Sequence, residues 1–285
     1  MAGVRQVKTF RLAAVSLNPK PADLRGNGEA ILDGIDRASA QGAQLVLFSE
    51  GILSGYDLEH LSEGACTIDS PFIRPIKERA KALNLHVSVG FLEKSGGDYY
   101  VSQMYAGPDY WHVYRKCHLT EHEKKCCKPG ESLHVEDLGF VKVGTQICYD
   151  SAFSRASETL VRRGAELLFT PTGHSHYSSA AEPRNYPAAL EHRRQHVLKY
   201  WRARAYEFSC YAVYLDAVGE TPAGEWYPGY IGIFGPDGEI IAENCSGQEA
   251  LVCVDLDANR LAYAREHWIG HYQALADARS NLYEA

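Results

Sequence analysis

The apolar positions of this chain fall in short runs, and polar stretches of helical period separate them. Residues 11–19 (RLAAVSLNP) are apolar on both faces and stop at Asn-Pro, the pattern of a strand buried on both sides. Ile31, Ile35 and Ala38 recur at i, i+4 and i+7, which predicts an amphipathic helix ending near Gly42. Leu45–Phe48 reads as a short buried strand. Residues 71–83 read as a helix with proline in its first turn. Residues 86–93 and 99–106 predict strands joined through Ser-Gly-Gly-Asp, a hairpin-type turn, and 111–116 continues the run.

The second half repeats this alternation. Residues 140–148 predict a strand, 152–163 a helix and 166–170 another strand. Residues 173–187 are polar, aromatic and irregular. Leu190, Val197, Trp201, Ala205 and Phe208 then share one helix face. Residues 211–218, 230–234, 238–242 and 251–255 are strand-like, with Pro236-Asp237-Gly238 as a turn, and 258–267 predicts a last helix. Interleaved strands and helices argue for a layered α/β protein with helices covering both sheet faces. Without a visible linker or repeat, the expectation is one domain over 1–285. Residues from about 268 are polar and aromatic, and are expected to form an arm used in oligomerisation.

Composition narrows the classes. The chain has 285 residues, 45% hydrophobic and 23% charged, ordinary for a globular protein with a sizeable core. A net charge of −7 and no basic tract argue against nucleic acid as a partner. The densest basic stretch, Arg193, Arg194, Lys199, Arg202 and Arg204, reads as the wet face of a helix. MAGVRQVKTF lacks the apolar core of a secretory signal, and no run has the length of a membrane span. A cytoplasmic protein with free thiols is expected from eight cysteines in that setting.

Three ionisable residues each close a strand-like run: Glu50 after LVLFS, Lys116 after WHVYR and Cys148 after VGTQI. Taken singly, each has a plainer reading. Glu50 suits a salt-bridged carboxylate, Lys116 an exposed strand end, and Cys148 a buried structural thiol. Taken together, a carboxylate, an ammonium and a thiol supply a base, an oxyanion partner and a nucleophile. Strand alternation further lets only one of Arg115 and Lys116 face such a site.

The segments GAQLVLFSEGILSGYD, VYRKCHL, EKKCCKPGE, VGTQICYDSAF followed by GAELLFTP, and YIGIFGPDGEII resemble, in order, the nitrilase superfamily of carbon–nitrogen hydrolases. WRARAYEFSCYAVYLDAVG and the terminal DARSNLY extend the resemblance over nearly the whole chain. It implies a four-layer α-β-β-α sandwich and thiol chemistry without metal or organic cofactor. By position it implies Glu50 as general base, Lys116 as oxyanion stabiliser and Cys148 as nucleophile. The backbone N–H of Tyr149 would be a second oxyanion donor. The superfamily's second glutamate matches Glu123, with Glu121 as the nearby rival. The implied substrate is a small molecule, and the implied assembly a homodimer or larger homo-oligomer.

The chain departs from the superfamily pattern in places. Ser49 stands where proline commonly precedes the first glutamate, and Phe153-Ser154-Arg155 where Phe-Pro-Glu is common. Tyr149-Asp150 replaces the Trp-Glu that nitrilases tend to carry, which favours an amide or N-carbamoyl substrate over a nitrile. His174 and Tyr177 follow a predicted strand, where α/β proteins place ligands, so either a pocket lining or a solvated loop fits them. Trp226 and Tyr227 are set either in a pocket or at an interface. Cys117, His118, His122, Cys126 and Cys127 do not match metal-ligand spacing, so no metal is expected there. Three functions follow: an amidase, a nitrilase, and, from another class, a catalytically silent binding or assembly module.

Overall fold

The computed structural model describes residues 9–173, 186–220, 226–267, 270, 272–279 and 282. β1 (Phe10–Ser16) and β2 (Leu45–Phe48) are parallel neighbours, joined by α1 (Leu24–Ala40). The Asp23 carboxylate caps α1 by accepting from Gly26 N at 2.9 Å, and Gly42 leaves it at φ +78°. A short α2 (Leu61–Gly64) and α3 (Arg74–Ala82) lead to β3 (His86–Ser95), which lies parallel to β2. α3 begins later than predicted, with Pro75 rather than Pro71 in its first turn. β3 turns through Gly96-Gly97 into the antiparallel β4 (Asp98–Ala106), which pairs with β5 (Trp111–Arg115).

β6 (Val135–Asp137) and β7 (Lys142–Thr145) open a second sheet. After α4 (Ser154–Arg162) comes β8 (Leu167–Thr172), parallel to β7. α5 (Tyr186–Phe208) returns the chain to β9 (Tyr211–Asp216), parallel to β8. The predicted strand 211–218 breaks after Asp216. Its end becomes β10 (Val218–Glu220), paired in a separate ribbon with β11 (Trp226–Pro228). Trp226 packs edge-on against Tyr186 at the start of α5, with ring centroids 4.5 Å apart. β12 (Ile231–Phe234) and β13 (Ile240–Asn244) complete the second sheet. β14 (Ala250–Leu256) crosses to pair antiparallel with β1, and α6 (Ala258–Glu266) follows.

The sheets have six strands each, in the orders β14-β1-β2-β3-β4-β5 and β13-β12-β9-β8-β7-β6. Side-chain alternation sorts them into layers. In β2, Val46 and Phe48 meet Ile31 and Ile35 of α1 and Ile76 of α3, whereas Leu45 and Leu47 meet Val143, Leu167, Phe169 and Val213 of the other sheet. Leu168, Ala212 and Tyr214 turn outward onto Leu160 of α4 and Val197, Trp201 and Ala205 of α5. The result is a four-layer α-β-β-α sandwich. Its middle strands are apolar on both faces because both faces are covered. Gln273–Asp277 forms a single 3₁₀ turn on this chain itself: Leu275 O accepts from Arg162 Nη1 at 2.6 Å, and Tyr272 lies under the Arg265 guanidinium. Among the described residues, no helix is long and apolar enough to cross a membrane.

Candidate active site

β2, β3 and β5 run in one direction, because β4 is antiparallel to both β3 and β5. Glu50 and Lys116 therefore emerge at the same end of the first sheet. Cys148 and Gly173 emerge from the carboxyl ends of β7 and β8, which are parallel in the second. Glu50 sits in a turn that presses on β3. A Cβ at Gly90 would lie 2.4 Å from both Ser49 O and Gly51 N, so the approach requires glycine.

The Lys116 ammonium, 1% exposed, donates to Glu50 Oε1 at 2.8 Å and to Glu123 Oε1 at 2.6 Å. Gly173 N donates to Glu50 Oε2 at 2.7 Å. Thr120 N donates to Glu123 Oε2 at 2.7 Å, and the Tyr56 hydroxyl donates to Glu123 Oε1. A buried ammonium is costly unless paired, and here both carboxylates pair with it. The two carboxylates differ in proton affinity. Burial pushes Glu50 up, only partly countered by Lys116. Burial also acts on Glu123, but Lys116, Tyr56 and Thr120 together hold it below its ordinary value. Lys116 is opposed by burial, yet Glu50, Cys148 and Glu123 raise it, so it stays an ammonium.

Cys148 opens a 3₁₀ turn, Cys148–Ala152, with φ +45°, an uncommon conformation for a residue with a Cβ. The predicted strand 140–148 thus ends at Thr145, and the predicted helix at 152 starts only at Ser154. The reason is Asp150, which is fully buried. Its Oδ2 accepts from Ile147 N at 3.1 Å and from the Tyr114 hydroxyl at 2.7 Å, and its Oδ1 accepts from His118 N at 2.8 Å. One carboxylate thereby ties the cysteine turn to the lysine segment. Burial first, then the charge of Glu50, pushes the Cys148 thiol up, with Lys116 and Arg193 opposing. These influences keep Cys148 a neutral thiol.

The structure brings Glu50, Lys116, Glu123 and Cys148 into one electrostatic cluster. Glu121 is excluded, since it is exposed and pairs with Lys124. Arg115 turns away onto Glu93, its Nη2 2.6 Å from Oε1, as alternation requires. Tyr149 follows Cys148 in the turn, and its exposed ring packs edge-on against Phe153. His174 and Tyr177 lie outside the described residues.

The wet-face reading of the basic stretch fails at Arg193. That residue is buried, with Nη1 donating to the Tyr214 hydroxyl at 3.1 Å and Nε 3.5 Å from Asp216 Oδ2. It alone of that stretch turns inward, because it shares a helix face with Leu190 and Val197. Residue-level reading also missed Tyr56 and Asp150 as supports. Both lie inside the segments that carry the resemblance, but their contacts cross from loop to loop.

A family model for carbon–nitrogen hydrolases matches residues 11–266. The chain belongs to the carbon–nitrogen hydrolase family. Among relatives, a nitrilase of Pyrococcus abyssi is 29% identical, with 87% of this chain and 89% of that protein aligned. An omega-amidase of Bos taurus is 28% identical over 97% of each chain. Among solved structures of this fold is a variant of an amidase from Nesterenkonia sp. AN1. That structure shows covalent addition of the acetamide moiety of fluoroacetamide at the active-site cysteine. It superposes with a TM-score of 0.77 at 22% identity, covering 99% of this chain and 98% of that one. This carbon–nitrogen hydrolase thus has relatives named for two different bonds.

Proposed function

We propose that this protein hydrolyses a non-peptide C–N bond of a small amide or N-carbamoyl compound, releasing acid and ammonia through a Cys148 thioester. The observation that carries the reading is the buried Lys116 ammonium, held by two carboxylates of unequal proton affinity in the same cluster as a neutral thiol. A neutral thiol needs a base in order to attack. Glu50, made more basic by burial, takes that proton as Sγ bonds to the carbonyl carbon. Lys116 and the Tyr149 N–H stabilise the oxyanion. When the C–N bond breaks, Glu50 returns the proton to the leaving nitrogen. Water then attacks the thioester and gives a proton to Glu50. That proton passes to the departing sulfur as the acid leaves. Glu123 stays ionised and holds Lys116 in place while the charge on Glu50 comes and goes.

A nitrile is the second reading, supported by the relative named a nitrilase. Tyr149-Asp150 after the nucleophile favours the amide. A silent binding module has no need of this paired constellation. Ammonia release from panels of amides, N-carbamoyl compounds and nitriles, with Cys148→Ala alongside, tests all three. Turnover of an amide or carbamoyl compound that is lost in Cys148→Ala is expected. Turnover of nitriles alone would replace the reading with the second. Silence, together with a Cys148 thiol that resists alkylation, would sink the enzyme reading.

A further inference from the structure

A second cluster of ligating side chains lies at the edge of the sandwich, on residues that no part of the proposed hydrolysis uses. His112 is on β5, the edge strand of the first sheet. Glu136 is on β6, the edge strand of the second, and His134 stands just before it. Glu136 Oε2 is 3.1 Å from His112 Nδ1 and 3.2 Å from His134 Nε2. All three atoms lie within 4.8 Å of one another, the one such group of three among the described residues.

These distances fall within hydrogen-bond range, but the angles at the ring nitrogens do not suit one. Glu136 is 9% exposed, yet neither its Oε2 nor His112 Nδ1 has a hydrogen bond of acceptable geometry. The two imidazole rings sit 4.2 Å apart at 38°, and each presents a nitrogen to the same carboxylate oxygen. Two donor atoms bound to one tetrahedral zinc at about 2.0–2.1 Å stand about 3.3 Å from each other. Two of the three separations here are already close to that. The donor set, two imidazoles and one carboxylate, is one that zinc accepts, with a fourth position left open. A cavity of about 540 Å³ lined by both His112 and His134 gives that position room for water.

We propose that His112, His134 and Glu136 bind one divalent transition-metal ion of the zinc class, which clasps the edge strands of the two sheets. The consequence reaches the reaction centre through the chain. His112 is four residues before Lys116, and His134 is eleven after Glu123. An ion held by both histidines closes the neck of the segment that carries Lys116 and Glu123. Its role is to brace that segment, and no step of the hydrolysis passes through it.

The test uses the full chain, stripped of metal and titrated with Co²⁺ as a spectroscopic probe, then with Zn²⁺ in competition. One equivalent of Co²⁺ should bind with ligand-field bands and no thiolate-to-cobalt band, which separates this site from the cysteines. His134→Asn and Glu136→Gln should each weaken binding by at least about tenfold, since even outer partners of metal ligands matter that much. Zn²⁺ should raise the thermal midpoint of the wild type and leave that of His134→Asn unmoved. Three results would each overturn the proposal. They are absence of saturable one-equivalent binding, a thiolate band that survives both substitutions, and unchanged affinity in folded variants. Should a variant fail to fold, the wild-type Co²⁺ spectrum still decides. A protein that is destabilised by His134→Asn but binds no metal holds only ion pairs there, and the proposal fails.

Discussion

Lys116 concentrates the physics of the site in one side chain. Its ammonium is nearly inaccessible to water, so its stability rests on Glu50 and Glu123, and theirs on it. Lys116→Gln keeps a polar side chain, one atom shorter, but removes the charge, leaving two buried carboxylates without their shared cation. We expect a loss of about 3–5 kcal/mol in stability, the usual cost of breaking a buried pair from one side. In the proposed reaction kcat should also fall by about 10²–10³, the range for removing one oxyanion donor. Urea unfolding and steady-state kinetics on the substrate found in the panel would check both. A variant as stable as the wild type would contradict the mutual dependence. At this scale much was legible beforehand. Glu50, Lys116 and Cys148 stand at the ends of apolar runs, and chain order ties each to a motif. The resemblance favoured Glu123 over Glu121, and the fold supplies the physical difference, since Glu123 turns inward to Lys116 and Glu121 stays exposed.

Among the elements, the turns carry the placement. The Glu50 turn lies against β3 with no room for a side chain at Gly90, and the Cys148 turn is held by Asp150. Gly90→Ala would force its new Cβ into the backbone of Ser49, Glu50 and Gly51. Overpacking of this kind costs about 1–3 kcal/mol. In the proposed reaction the displaced carboxylate should lower kcat more than it raises KM, because Glu50 is there the reacting base. Equal changes in a control substitution at Gly28, a helical position whose Cβ would come no nearer than 3.7 Å to a neighbour, would argue against this account. Periodicity found the long elements well: β2, β3, β4, α1 and α5 lie close to where apolar spacing puts them. It missed β6, β10 and β11, each three residues long, since so short a strand has no period to read. Apolar spacing extends strand to Cys148, where the structure has a 3₁₀ turn. Its bend comes from a buried carboxylate that is close in sequence and also bound to Tyr114 on another sheet.

The whole molecule responds to pH through groups that the fold has buried. Asp216 is pushed up to about 7 from 3.8, first by burial, against the pull of Arg193 and Tyr214. Between those values the native state holds a proton that the unfolded chain has released, so stability falls as pH rises through this window. His86 and His196 are depressed by burial and act in the opposite sense, gaining stability as pH rises. The difference between proteins isolates Asp216. Asp216→Asn should show a smaller loss of urea midpoint between about pH 5 and about pH 7.5 than the wild type does. An identical slope in both would mean that Asp216 is ionised throughout.

What the sequence by itself determined is the fold class and the family. Buried strands alternating with amphipathic helices demand covered sheets, because apolar runs must leave water. A carboxylate, an ammonium and a thiol closing three of those runs, within motifs that resemble the carbon–nitrogen hydrolases, point to the reaction proposed above, because reactivity belongs to the residue. The tertiary structure alone decided which faces meet. It paired the two sheets and turned Glu123 and Arg193 inward. It set unequal proton affinities on two glutamates that are chemically alike. It also carried His112, His134 and Glu136 from the edges of the two sheets to one point. Those outcomes depend on burial and on distances between residues far apart in the chain, and local periodicity carries no record of either.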